Sequence, residues 1–219
     1  MSNDRRAEPT PRGRGRGRSI TEWVRRQQIV EAAIATIAEV GIGSASFARI
    51  AQRAGLSSTG IISYHFAGRS DLINAVVARV VADGQAYIGP RIRAAEPGAD
   101  QLRTYITANL EFMAENPDGI VAVADVLSVR DADTQKSPYA EFHTAGIEHL
   151  SDFFQEGQKK GLFCEFDTSV MALAIRAAID EAGYRCRAEP DFDPIMVGNE
   201  LAELFVRAAA VEPVTGSGG

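Results

Sequence analysis

The chain reads as an all-α protein: a small three-helix unit at its N-terminal end, followed by a larger helical body. Three observations predict this. Apolar residues recur at helical spacing in most segments, and breakers such as Pro117 and Gly161 separate the periodic stretches. No run of alternating Val, Ile and Thr bounded by hairpin turns appears, and no stretch repeats at a fixed period. With 219 residues, 45% of them hydrophobic and 24% charged, the chain is long enough for one or two domains with a real core.

Residues 1–18, "MSNDRRAEPTPRGRGRGR", hold Pro, Gly and Arg with almost nothing to bury, so residues 1–19 are expected to form a disordered basic arm. From Ile20 a helix is expected. In "WVRRQQIVEAAIATIAEVG" it places Val30, Ala33, Ile34, Ile37 and Ala38 on one face, and Gly41 stops it. "IGSAS" makes a turn whose Ser46 can cap the short helix "FARIAQRAG". Gly55 ends that helix, and Ser57 or Ser58 can cap the next one, within "LSSTGIISYHF" at 56–66. A long helix follows from "SDLINAVV", which must bend or break near Pro90. Further helices are expected at about 100–115, 118–128, 138–160, 167–187 and 194–209, with "RDADTQKSP" among the separators and a loose tail at 212–219.

Charge is divided unevenly. Residues 1–69 hold 11 Lys and Arg against 5 Asp and Glu, whereas residues 70–219 hold 12 against 24. One end is suited to a polyanion and the other would repel it. Cys164 and Cys186 lack the spacing of a disulfide framework, a zinc site or a redox motif, and are expected to be small core fillers. No window approaches the length of apolar chain that a bilayer crossing needs, and the first residues resemble no signal core, so a cytoplasmic location is expected. The residues call for no cofactor and no metal.

Two short helices joined by a tight glycine turn form a helix-turn-helix, whose second member enters the major groove of double-stranded DNA while the first crosses the backbone. Ala51 is small where the two would cross, and Leu56 and Ile61 would anchor them on the first helix. That leaves Ser57, Ser58, Thr59, Gly60, Ser63 and Tyr64 facing outward or forward. Short hydroxyls and a glycine let a helix sit close to base edges, and Ser or Thr bonds either a base or a phosphate. Arg49, Arg53, Arg69 and the arm would neutralise phosphates from the flanks. Arginines alternating with glycines can also lie in a narrow minor groove, the alternative being a solvated tail that adds only non-specific affinity.

Residues 29–72 resemble the TetR (tetracycline-repressor-like) family of transcriptional regulators. That family's "ILxAAxxxxAExG" is echoed by "IVEAAIATIAEVG", its "SxxxIAxxAG" by "SFARIAQRAGL", its "YxHF" ending by "SYHF", and its "SKxxL", loosely, by "GRSDL". Past Arg79 the likeness is only architectural. The resemblance implies an all-α homodimer in which each N-terminal helix-turn-helix domain, here 20–68, reads half of a palindromic operator. The body, 69–211, would bind a small-molecule effector and dimerise through the helices at about 167–187 and 194–209. It further implies that Tyr64 and Arg69 contact the DNA backbone, that Phe66 and His65 pack inward, and that the protein is a repressor released by its ligand. There are two departures. This chain has one more residue than the common pattern between Gly55 and Tyr64, and Ser63 stands where many relatives carry an aromatic residue.

For the body, Leu102, Tyr105, Ile106, Asn109 and Met113 share one helical face, and Phe142, Gly146, His149 and Phe153 share another. An amide and an imidazole in apolar stripes suit a ligand pocket, with Tyr105, Asn109, Met113, Phe142, His149 and Phe153 as its expected lining. A core Asn and a core His satisfied by backbone is the other reading. The helix at 167–187 is rich in alanine and the last offers Ile195, Leu201, Leu204 and Phe205, which suits a two-fold interface or packing within one subunit. An enzyme is not expected, since His143 and His149 fall on different sides of a helix and no nucleophile motif has its context. An architectural protein that binds DNA non-specifically through the Arg/Gly arm is the alternative in function.

Overall fold

A computed structural model describes residues 15–128 and 138–211, with side chains for 20–128 and 140–211. The arm through Arg14, the polar run 129–137 and the tail 212–219 lie outside the described residues. Among those described, nine helices and no strand occur: α1 (Gly15–Val40), α2 (Phe47–Arg53), α3 (Gly60–His65), α4 (Arg69–Ala94), α5 (Ala99–Glu115), α6 (Pro117–Ser128), α7 (Pro138–Lys159), α8 (Thr168–Ala188) and α9 (Pro194–Ala209). None is long and apolar enough to cross a membrane.

Three expectations differ from what is observed. First, α1 begins at Gly15 rather than Ile20. Nucleation is the costly step, so a helix already secured by its buried C-terminal half extends backward through Arg16 and Arg18, good helix formers, despite Gly17. Second, α3 spans only six residues. Its N-cap Thr59 already has helical dihedrals, φ −67° and ψ −18°, and makes no capping bond, so Ser57 and Ser58 belong to the approach loop instead of capping the helix. Third, of the bend or break expected near Pro90, the break does not occur: α4 continues through it. The carbonyl that the missing N–H would have met belongs to Ala86, on the exposed side of the helix.

The packing has three layers. Ile29, Ala33 and Ile37 of α1, Ile50 of α2, Ile62 of α3 and Leu72 of α4 make the N-terminal core, so the first turns of α4 belong to that unit. α1 also packs on α6, which is why Ala32 and Thr36 are buried as well as the expected face. A middle layer joins Val77 and Val80 of α4, Phe112 of α5 and Val123 and Val126 of α6. The third layer holds α5, α7, α8 and α9 around Leu102, Leu110, Phe154, Ile175 and Ala202. There α5 meets α9 closely: a Cβ on Gly198 would lie 2.8 Å from Leu110 Cβ.

Each of α8 and α9 buries one face against the rest of the chain and leaves another bare. Ala172, Ile175, Ile179 and Ala202 are buried, while Val170, Leu173, Tyr184, Met196 and Leu204 are exposed. Both cysteines are half-buried, Cys186 packing against the core of the third layer. Burial raises the Cys186 thiol's pKa above its ordinary value, and Cys164 Sγ donates to the Ala208 carbonyl at 3.6 Å.

Candidate functional sites

The helix-turn-helix is shaped by two left-handed glycines and fastened by long polar side chains. Gly41 (φ +76°) closes α1 and Gly55 (φ +63°) closes α2, conformations an L side chain resists. Ser46 caps α2, its Oγ accepting from Arg49 N at 3.3 Å. The last carbonyls of a helix have no intrahelical partner, and α1 supplies two of the missing donors. Gln28 Nε2 donates to the Ala54 carbonyl at 2.6 Å, and Arg26 Nη1 to the His65 carbonyl at 2.6 Å. The Arg26 guanidinium also lies 4.1 Å from the Phe66 ring centre and 3.7 Å from Asp71. From the other side, Arg69 donates to the carbonyls of Ala45, at 2.8 Å, and Ile42.

This bracing leaves a polar, uncharged surface outward. Ser57, Ser58, Thr59, Gly60 and Ser63 are exposed, and Tyr64 is 70% exposed. The Tyr64 hydroxyl donates to Glu22 at 3.3 Å, and its ring meets half-buried His65 edge-on, 5.0 Å between centroids. Phe66 is buried. Arg49 is exposed on α2, whereas Arg53 pairs with Glu39. Arg69, expected to face phosphate, already gives two N–H groups to the chain's own backbone.

The body is hollow. A cavity of about 570 Å³ lies among α4, α5, α6, α7 and α8, and adjoins a second of about 440 Å³ among α4, α5, α7 and α8. Ile88, Asn109, Phe142 and Arg176 line both. Met113 lines the larger, and Tyr105, His149 and Phe153 the smaller, so the structure brings all six residues of the expected lining to these spaces. Asn109 is 7% exposed and donates to the Tyr105 carbonyl at 2.7 Å, a local backbone bond made in a cavity wall. His149 is exposed, so it is no core histidine. Arg176 is 3% exposed; it bonds Asp180 at 2.9 Å and the Tyr105 hydroxyl at 3.2 Å, and Asp180 meets His143 Nε2 at 2.9 Å.

Comparison with known proteins bears on both halves. Residues 29–76, covering α1 from Ile29 through the first turns of α4, match the model for bacterial regulatory proteins of the tetR family. Over this stretch the chain is similar to that family. Two relatives, the HTH-type transcriptional regulators BetI 1 and BetI 2 of Chromohalobacter salexigens, are 36% and 39% identical over 89 and 90 residues. Those stretches cover 40% and 41% of this chain but only 44% and 42% of the relatives, less than half of each. Solved structures extend the likeness of fold to the body. The transcriptional regulator FadR from Bacillus subtilis in complex with stearoyl-CoA has a TM-score of 0.73 at 21% identity, over 82% of this chain and 97% of that one. A TetR transcription regulator from Haloarcula marismortui has a TM-score of 0.74 at 20% identity, over 85% and 98%.

One buried carboxylate joins the two halves. Asp125 on α6 is 6% exposed. Its Oδ2 accepts from Ile42 N, in the α1–α2 turn, at 2.5 Å, and its Oδ1 from Arg187 Nη2, on α8, at 2.5 Å. Ile42 is thereby held at both backbone groups, its N–H by Asp125 and its carbonyl by Arg69. The same stretch of α6 gives Val123, Ala124 and Leu127 to the larger cavity, and α8 gives Ile179, Asp180 and Gly183.

Arg26, Gln28, Asp125 and Arg187 went unread in the sequence because their partners are distant in it: 39 residues for Arg26 and His65, 83 for Asp125 and Ile42. Arg176 and Asp180 did leave a signal. "AIRAAID" sets an i,i+4 ion pair inside an alanine-rich apolar run, an unusual place for charge.

Proposed function

We propose that the protein is a transcriptional regulator that binds a palindromic operator as a homodimer and is released from it by a small molecule held in the body. The observation that carries this reading is the exposed uncharged face of α3, its C-terminal end held by Arg26 and the turn before α2 held by Arg69, in a unit that matches the tetR-family model. Such a face approaches base edges closely, while the preponderance of Lys and Arg over residues 1–69 supplies attraction to phosphate. In this reading Arg49, Ser57, Ser58, Thr59, Gly60, Ser63, Tyr64 and Arg69 form the DNA contact. The bare apolar residues Leu173, Tyr184, Met196 and Leu204 of α8 and α9 meet their two-fold mates. The protein works in the cytoplasm, where its operator is, and catalyses no reaction.

Release requires that the ligand prefer a body shape incompatible with DNA, because only differential affinity shifts an equilibrium. The Asp125 junction supports such coupling. A ligand that displaces α6 or α8 pulls on Ile42 and hence on the α1–α2 turn, while α4 carries the same displacement to Arg69.

Selection of bound DNA from a random pool tests the reading. It is expected to recover a palindrome with half-sites about one helical turn, or a multiple of it, apart. Recovery of unrelated sequences, with binding that depends strongly on salt, would favour the architectural alternative.

A further inference from the structure

The charge of the cavity lining runs against the charge of the body. Residues 70–219 hold 12 basic against 24 acidic side chains. Among the described residues that line the two cavities, however, the only carboxylate is Asp180, whereas Arg93, Arg176, His143 and His149 all line them too. The arginines are differently placed. Arg93 is exposed at the smaller cavity, its Nη1 folded back to within 3.2 Å of where a Gly89 Cβ would stand. Arg176 is buried where the two cavities meet. Away from that waist the larger cavity is walled by Val80, Phe112, Met113, Val123 and Ile179.

Resting on the sensor reading above, we infer that the effector is an anionic amphiphile, with its apolar chain in the larger cavity and a carboxylate against the Arg176 guanidinium. The apolar walls favour a hydrocarbon chain through the area they remove from water. A carboxylate entering this space loses its hydration, which only pre-positioned charged donors offset. Arg176 is pre-positioned: Asp180 and Tyr105 fix its plane, and Asp180 is itself engaged by His143. Asp180 neutralises the guanidinium in the unliganded protein, so Arg176 stays buried without a bound anion. A cationic head would meet Arg176 at the waist and find its one carboxylate already engaged.

The test is calorimetric titration of the full-length protein with dodecanoate, dodecan-1-ol, dodecyltrimethylammonium and dodecanoyl-coenzyme A, each below its micelle concentration. Dodecanoate is expected to bind about tenfold or more tighter than the alcohol, the scale of a charged hydrogen bond, and the cation not to bind. Arg176→Met should bring dodecanoate to the level of the alcohol, while Arg176→Lys retains part of the preference. Equal binding of anion and cation, a preference that survives Arg176→Met, or binding confined to the thioester overturns the inference. Should Arg176→Met fail to fold, the order of thermal stabilisation of the unsubstituted protein by the four ligands decides in its place. A DNA arm separates this inference from the sensor reading. If dodecanoate wins by tenfold yet leaves affinity for the selected DNA unchanged, the ligand class stands and the sensor reading falls. If alcohol and anion bind and release DNA equally, the sensor reading stands and the carboxylate contact falls.

Discussion

The N-terminal unit and the body solve opposite packing problems. In the first, α1 to α4 close on a solid core of Ile29, Ile37, Ile50, Ile62 and Leu72, and everything offered to a partner faces outward. In the second, α4 to α8 stand apart around two cavities, and the polar groups Asn109, Arg176 and Asp180 face inward. The solid unit holds its shape through side chains bonded to backbone carbonyls, so its outer face is presented rigidly. The hollow one leaves its helices room to shift, and Asp125 is where such a shift meets the rigid part.

The contrast can be broken at four places. Ile62→Ala, at a side chain with no exposure, should cost about 2–5 kcal/mol in chemical denaturation, because the solid core cannot collapse onto the void. A loss under 1 kcal/mol would mean that this unit is as yielding as the body. Asp125→Ala comes next. It leaves Ile42 N–H and partly exposed Arg187 without their carboxylate, and the expected loss is about 1–3 kcal/mol. Its sharper readout is the ligand's effect on DNA affinity, which should shrink while ligand affinity itself holds. Undiminished ligand response in the variant would show that the signal travels elsewhere.

Ser46→Ala removes a cap whose bond is long and exposed, so about 0.5–1 kcal/mol is expected from thermal unfolding. The smallest effect on stability, about 0.5 kcal/mol or less, is expected for Tyr64→Ala, since the side chain is 70% exposed. The same variant should lose about tenfold or more in affinity for the selected DNA, measured by fluorescence anisotropy. If affinity holds in the folded variant, the outward face of α3 is not the contact surface.

The two regions also differ in how far they were legible. The turn glycines Gly41 and Gly55, the Ser46 cap and the apolar face around Val30, Ala33 and Ile37 are local features, governed by dihedral preference and helical period, and they stand where the sequence placed them. The length of α3 was overestimated, because whether Ser57, Ser58 and Thr59 join a helix depends on dihedrals that their hydroxyls do not dictate. In the body, helical period brought Tyr105, Asn109 and Met113 to one wall and Phe142, His149 and Phe153 to another. Periodicity could not say that His149 would be exposed at the rim or that Arg176, from a third helix, would stand between them.

Composition, helical period and turn chemistry, all properties of residues close along the chain, determined an all-helical protein with a basic helix-turn-helix unit ahead of an acidic body. Tertiary structure alone decided that Arg69 reaches back to the Ile42 carbonyl, that Asp125 bridges α8 to the α1–α2 turn, and that the Arg176–Asp180 pair lines the cavities of an acidic domain. The physical reason is distance. These bonds close loops of tens of residues, and which donor meets which carbonyl is settled only when whole helices have packed.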